Sequence, residues 1–393
     1  IPHNGNWAGN LMFPDRTFTS DKKLDETYVQ RRNRWEPLYE ASQIKGDGEA
    51  HPYLSPDDEF ADYETWDLSN LSFNEKVTRE MLPHQYARSG LKLGLQYQEK
   101  FGTNPFQFGM VAAGDSHTGL PGQEEFQFMG KHSSSEPDPE RWETPFREAD
   151  FGTQEGWSEV SSGLTGIWAT DNTREALFDA MKRKEVYATT GTRMTVRMFG
   201  GWDFQHGDDL RSDYVAHGYT RGVPMGGELR REPLPEGTPY RGIAPELAHQ
   251  NKAPSFIVVA LKDPTAGNLD RIQMVKGWMD GEGELHERVY NIAWADADRR
   301  QMRPNGKIPP VGNTVNMSDA TWTNSIGDVQ LSAVWQDPDF DPAEQAFYYV
   351  RVLEIPTPRW TLYDAVRFDV TMDDDVPMTT QERVYTSPIW YIP

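Results

Sequence analysis

Cysteine is absent from the 393 residues. That excludes disulfides, a thiolate zinc site and a cysteine nucleophile, and it is neutral on compartment. Basic residues are scarce: 39 Lys and Arg face 61 Asp and Glu, for a net charge of −22. Nucleic acid and anionic membrane both reward clustered Lys and Arg, so neither is expected as a partner. A small anionic substrate held by a few local positive charges remains compatible with this balance. No apolar run approaches the ~20 residues that a membrane-spanning helix needs, so no membrane span is expected. Internal repeats and low-complexity tracts are also missing. What is present, 37% apolar and 12% aromatic residues, is enough for a sizeable core. The length suits two ordinary domains or one large barrel with an appendage.

The most informative stretch is Phe106 to Gly119, FQFGMVAAGDSHTG. Its apolar, small-residue run reads as a buried strand. It ends abruptly in Asp115-Ser116-His117, where α/β barrels and open α/β sheets keep their chemistry. An acid and an imidazole two residues apart at a strand end can bind one metal together; a polar turn after a core strand is the bland alternative. The chain opens Ile1-Pro2-His3-Asn4, which reads as the tail of a strand already under way, and a segment preceding Ile1 is expected. His3 is then either a loop histidine or another strand-end ligand.

Leu24 to Trp35 reads as a short helix with Asp21 as N-cap. Pro37 to Ser42 reads as a strand carrying Glu40, and it runs into the charged loop Gln43 to Pro52 with Lys45, Glu49 and His51. Leu82 through Lys100 reads as one long helix stopped by Gly102. This order is the α/β alternation of a barrel or doubly wound sheet. Leu120 to Val160 is a Gly-, Pro-, Ser- and Glu-rich excursion, expected to be a lid or a surface segment. Gly163 to Ala169 reads as a strand, followed by a helix with Asn172 and Glu175 as a capping box. Thr189 to Arg193 could offer hydroxyls, backbone N–H groups and a guanidinium to an oxyanion, or be only a hydroxyl-rich turn. From Ser255 on, short strands recur at 255–261, 270–279, 284–294, 329–335 and 347–353, with an Asp280-Gly281 hairpin turn. They read most simply as a sandwich.

Five ordered blocks carry a resemblance: IPHNGN, LYEASQIKGDGEAHP, NPFQFGMVAAGDSHTG, GLTGIWATDNTREALFDAMKRKEVYATTGTR and RIQMVKGWMDGEGELHERVY. Together they resemble the bacterial family of unknown function numbered 3604, related to the PHP (polymerase and histidinol phosphatase) superfamily. The resemblance implies an α/β fold: a distorted PHP-like (β/α)7 barrel, of which this chain is the carboxy-terminal part, with an additional all-β sandwich-like region. With the composition change after Trp202 and the strands from Ser255, the chain divides into a barrel portion at 1–202, a loop-rich connection at 203–254 and a sandwich-like region at 255–393. The resemblance implies two or three divalent ions, Zn, Mn or Fe, held by His3, Glu40, Asp115 and His117. The remaining ligands are expected from a preceding amino-terminal segment of the same protein.

Carried onto these residues, the implied activity is metal-dependent hydrolysis of a small-molecule ester, phosphoesters first. Asp115 and His117 act in catalysis, and Lys45, Arg193 and Glu49 hold substrate. A sulfuric-ester or amide hydrolase on the same barrel is the alternative reading. A non-catalytic ligand-binding or interaction protein with a vestigial metal site is the second. The expected location is periplasmic or secreted rather than cytoplasmic.

Overall fold

A computed structural model of the chain describes residues 1–120, 122, 124–230 and 252–393. The first half contains α1 (Glu26–Trp35), β1 (Leu38–Gln43), α2 (Ala87–Phe101), β2 (Gly109–Ala112), β3 (Thr165–Ile167), α3 (Arg174–Lys182), β4 (Val186–Thr189) and β5 (Thr195–Gly201). Then follow α4 (Tyr214–Arg221), β6 (Ser255–Leu261), β7 (Leu269–Met279), β8 (Leu285–Trp294), β9 (Gln330–Gln336), β10 (Gln345–Glu354), α5 (Trp360–Phe368), β11 (Arg383–Thr386) and β12 (Ile389–Ile392). The fold is mixed α/β, rich in strands.

Local signals account for most element ends, with three corrections. The cap of α1 is Asp25, whose Oδ1 accepts from Tyr28 N at 2.8 Å, not Asp21. Thr173, not Asn172, caps α3 by accepting from Ala176 N. The expected long helix breaks at Tyr86, because the Ala87 and Arg88 N–H groups donate to the carbonyls of Gly48 and Glu49. A helix can start there, since its first amides need outside acceptors. Gly102 ends α2 in the left-handed conformation, as expected.

Packing builds three layers. A four-stranded sheet, β9-β6-β5 plus Gly222–Pro224, faces a large, mostly antiparallel sheet through Met198, Phe256, Val258, Ile272, Met274, Tyr348 and Val350. The other face of the large sheet packs Phe347 and Tyr349 of β10 against Leu91 and Leu95 of α2 and Met110 of β2. Strand β10 is therefore buried on both faces along its whole length. β4 pairs with β11 and β5 with β6, so strands on the amino-terminal side of residue 202 are hydrogen-bonded to strands on its carboxy-terminal side. The expected loop-rich stretch at 203–254 contains α4, and its residues 231–251 lie outside those described.

No closed barrel forms among the described residues. A (β/α)7 barrel needs a continuous ring of parallel strands. Here β1 pairs in parallel with β2, and the ladder stops at β2. Beyond it, side chains take the place of a neighbouring strand: Ser387 Oγ accepts from Met110 N at 3.1 Å, and Thr165 Oγ1 accepts from Ala112 N at 3.1 Å. The next pairs, β3 with β4 and β4 with β11, are antiparallel. No helix among the described residues is long and apolar enough to cross a membrane.

Candidate functional site

Strands β1 and β2 place the expected site residues at one end. They run parallel with Glu40 opposite Val111 and Ser42 opposite Ala112. Residues 1–4 approach β1 ahead of its short pairing with Gly46–Asp47, where Glu40 N donates to Pro2 O at 3.0 Å. His3 is thereby brought to Glu40, with Nδ1 3.5 Å from Oε2. A cleft of about 360 Å³ beside the pair is lined by Ile1, His3, Glu40, Ala113, Thr165 and Met181, among others. Past β2 the chain turns at Asp115, whose φ of +50° is a left-handed conformation that Asp tolerates better than most residues. The turn brings His117 Nε2 to 3.2 Å from Asp115 Oδ1.

Two lysines converge on the same carboxylate. Lys45 Nζ donates to Asp115 Oδ2 and, at 3.0 Å, to Gln43 Oε1. Lys131 Nζ lies 2.9 Å from Asp115 Oδ2, 2.5 Å from the Asp115 carbonyl oxygen and 3.2 Å from His117 Nε2. Lys131 comes from the excursion after Leu120. Its backbone is fixed there: its N–H donates to Glu159 Oε2 at 3.0 Å, and its carbonyl accepts from His117 N at 2.8 Å. The excursion thus covers the end of β2 as a packed segment. The His132 ring follows, 5.0 Å from the ring of His117.

Electrostatics divides the carboxylates. Burial, then the like charge of Asp115, pushes Glu40 up to about 7. Burial also works to raise Asp115, but hydrogen bonds from Lys131 and Lys45 outweigh it and hold the carboxyl well below its usual range. Burial lowers Lys45 to about 8 against the pull of Asp115. Burial and the neighbouring positive charge of Lys131 lower His132. The site therefore offers one firmly ionised carboxylate, one poised near neutrality, and two nearby ammonium groups.

The donor chemistry fits a divalent cation of the implied kind: two imidazoles and two carboxylates at one strand end. Glu40 Oε2 is buried without a hydrogen-bond partner, a lone pair that a cation would satisfy. The donors stand as two pairs, His3 with Glu40 and Asp115 with His117. Among the described residues no three acid or imidazole groups converge closely enough to hold an ion. Any ion here takes its remaining ligands from outside these pairs.

The motif Lys45-Gly46-Asp47-Gly48-Glu49 sends its two ends apart. Gly46 has φ of +89°, and a Cβ there would strike the Glu64 carbonyl and the Trp66 ring. Lys45 points to Asp115. Glu49 points into a buried cluster, where Oε1 accepts from Arg88 at 2.6 Å and from the Tyr349 hydroxyl, and Oε2 is 3.4 Å from Arg351. Arg193 lies elsewhere too, paired with Glu124 at 2.7 Å on the wall of a separate cavity of about 450 Å³. The structure thus brings His3, Glu40, Lys45, Asp115 and His117 together, and leaves out Glu49 and Arg193. It adds Lys131, for which the one sequence signal is a lysine beside His132 in an acid-rich stretch.

The family described as "Protein of unknown function (DUF3604)" matches residues 1–393, and the chain belongs to it. No curated protein and no solved structure matches the chain.

Proposed function

We propose that this DUF3604 chain carries ligands and catalytic groups of a divalent-metal-dependent hydrolase of anionic esters, phosphoesters first. The reading follows the resemblance of the IPHN and GDSH segments to the PHP superfamily. The observation that supports it is the meeting of Asp115, His117 and Lys45 just past the carboxyl ends of a parallel strand pair, with the Glu40–His3 pair beside β1. That end of a parallel sheet is where ligands bind in open α/β folds.

His3, Glu40, Asp115 and His117 are the residues that would hold the ions. Bound there, a divalent cation supplies Lewis acidity and lowers the pKa of the attacking water. The chain's own groups do the rest. Asp115, kept ionised by its lysines, orients the water and accepts its hydrogen bond. Glu40, pushed up to about 7 without a cation, would give up its proton on ligating one, so metal uptake would release protons near neutral pH. Lys45 stands where a non-bridging oxygen of the ester would be held.

The test strips the chain with chelator, reloads it with Mn²⁺, Zn²⁺ or Fe²⁺, measures metal content, and assays aryl phosphate and aryl sulfate esters. Metal-dependent phosphate turnover is expected, with Asp115→Asn lowering it by roughly a hundredfold or more while the fold persists. Full activity and full metal content in Asp115→Asn would overturn the assignment. Turnover of sulfates alone would move the reading to the sulfuric-ester alternative.

A further inference from the structure

Two buried lysines at the end of β2 direct their ammonium groups at a single carboxylate oxygen. In a chain with a net charge of −22, two ammonium groups that are almost wholly buried, Lys45 at 2% and Lys131 at 5% exposure, share one carboxylate, and both reach the same oxygen of Asp115. Their other polar partners are neutral: the Gln43 side-chain oxygen, the Asp115 carbonyl and the His117 ring. Glu40 is the next acid; it touches His3 and feels both lysines through space. Glu159 contacts Lys131 through the backbone N–H, not through the ammonium group.

We propose that Lys45 and Lys131 form a receptor for a tetrahedral oxyanion, and that Asp115 is its built-in occupant when no anion is bound. Two ammonium groups aimed at one oxygen are what a phosphate or sulfate group, with several charged oxygens, satisfies better than a single carboxylate. Both lysines are held for the task. Lys45 leaves the tight Gly46 turn, and Lys131 is fixed through its backbone to Glu159 and His117. The inference rests on the hydrolase reading for its substrate class, and it adds a coupling. A cation that draws Asp115 away releases both ammonium groups to the anion, so each ligand favours the other, and the coupling is reciprocal. Asp115 is then an exchangeable lock as well as a ligand.

The test is calorimetric titration of inorganic phosphate into the chelator-treated chain at fixed ionic strength and neutral pH. Lys45→Met and Lys131→Met should each weaken binding by about tenfold or more. Asp115→Asn, nearly isosteric, should tighten it by about tenfold, because a neutral amide competes poorly for the ammonium groups. An unfolded variant cannot produce that gain, so the test survives a lysine variant that fails to fold. Asp115→Asn that binds phosphate no more tightly than the parent chain overturns the proposal, as does binding indifferent to both lysines. Phosphate gained by Asp115→Asn without any metal uptake or turnover in the parent keeps the receptor and removes the hydrolase reading. Metal-dependent turnover with Asp115→Asn blind to phosphate does the reverse.

Discussion

Glu49→Gln separates a structural carboxylate from a substrate-binding one. Glu49 accepts from Arg88 Nε at 2.9 Å and Nη2 at 2.6 Å, accepts from the Tyr349 hydroxyl, and lies 3.4 Å from Arg351 Nη1. Asp58 closes the cluster at 2.9 Å from Arg88 and 2.6 Å from Arg351, and the side chains of Glu49, Asp58, Arg88 and Arg351 are all at most 2% exposed. Removing the charge of Glu49 leaves two buried guanidinium groups with Asp58 and, on Arg88 alone, Glu287. Breaking one partner out of a buried ion cluster costs about 3–5 kcal/mol, far more than a surface pair is worth. For cooperative unfolding of a chain this long, each kcal/mol lowers the melting temperature by roughly 1.2 °C, so a drop of about 4–6 °C is expected. Circular dichroism melts and urea titrations of the parent and variant measure it. Phosphate affinity should hold within about twofold, since the cluster lies on the opposite arm of the Lys45–Glu49 turn. An unchanged melt with weakened phosphate binding would refute the structural assignment and return Glu49 to the substrate.

Two further outcomes follow from buried groups away from the site. Burial pushes the Glu354 carboxyl up to about 8 against an ordinary value of 4.5, with the Thr192 hydroxyl opposing. A raised folded pKa means stability that is full below about pH 4.5 and is lost as pH rises toward about 8. Glu354→Gln should therefore flatten the fall in urea midpoint over that window; an unaltered slope counts against a buried neutral acid. At Gly163 an added Cβ would overlap the Thr189 carbonyl oxygen and crowd Ala112. Gly163→Ala should then cost more than about 3 kcal/mol or block folding, and a variant as stable as the parent would contradict the close approach of Gly163 to Thr189 at the end of β4.

Local chemistry was legible and long-range pairing was not. The alternation α1-β1-α2-β2 and the strands from Ser255 onward follow from periodicity and turn residues that lie within each segment. Asp115 and His117 could be singled out because a buried run ends where two ligand types begin. Glu40 could be placed because its strand precedes a loop of concentrated charge. Lys131 could not, because its meaning depends on the excursion folding back over β2, which no local pattern encodes. The mutual arrangement of the sheets was equally hidden. Alternation suggests one buried face per strand, whereas β10 buries Tyr348 in one core and Tyr349 in the other. A continuous apolar run of this kind does not name its two neighbours. The caps at Asp21 and Asn172 failed for a simpler reason: Asp25 and Thr173 are equally good caps a few residues away, and only geometry chooses between them.

The broken ladder at β2 links the fold to the site. A strand whose outer neighbour is another strand must keep its register, and its end is then set by that neighbour. The outer edge of β2 instead meets single side chains: Ser387 Oγ accepts from Met110 N while donating to Val186 O at 2.7 Å, and Thr165 Oγ1 serves both the N–H and the carbonyl of Ala112. These hydroxyls satisfy the buried backbone groups at the strand end without continuing the sheet. The chain is then free to leave the sheet plane at Gly114 and to turn left-handed at Asp115. That turn exposes the carboxylate on the side from which Lys45 and Lys131 approach, Lys45 from the turn after β1 and Lys131 from the excursion after Leu120. The large antiparallel sheet, through Ser387 beside β12, thereby buttresses the strand that leads into the Asp115 turn. The all-β portion is a support for the Asp115 turn rather than a separate appendage.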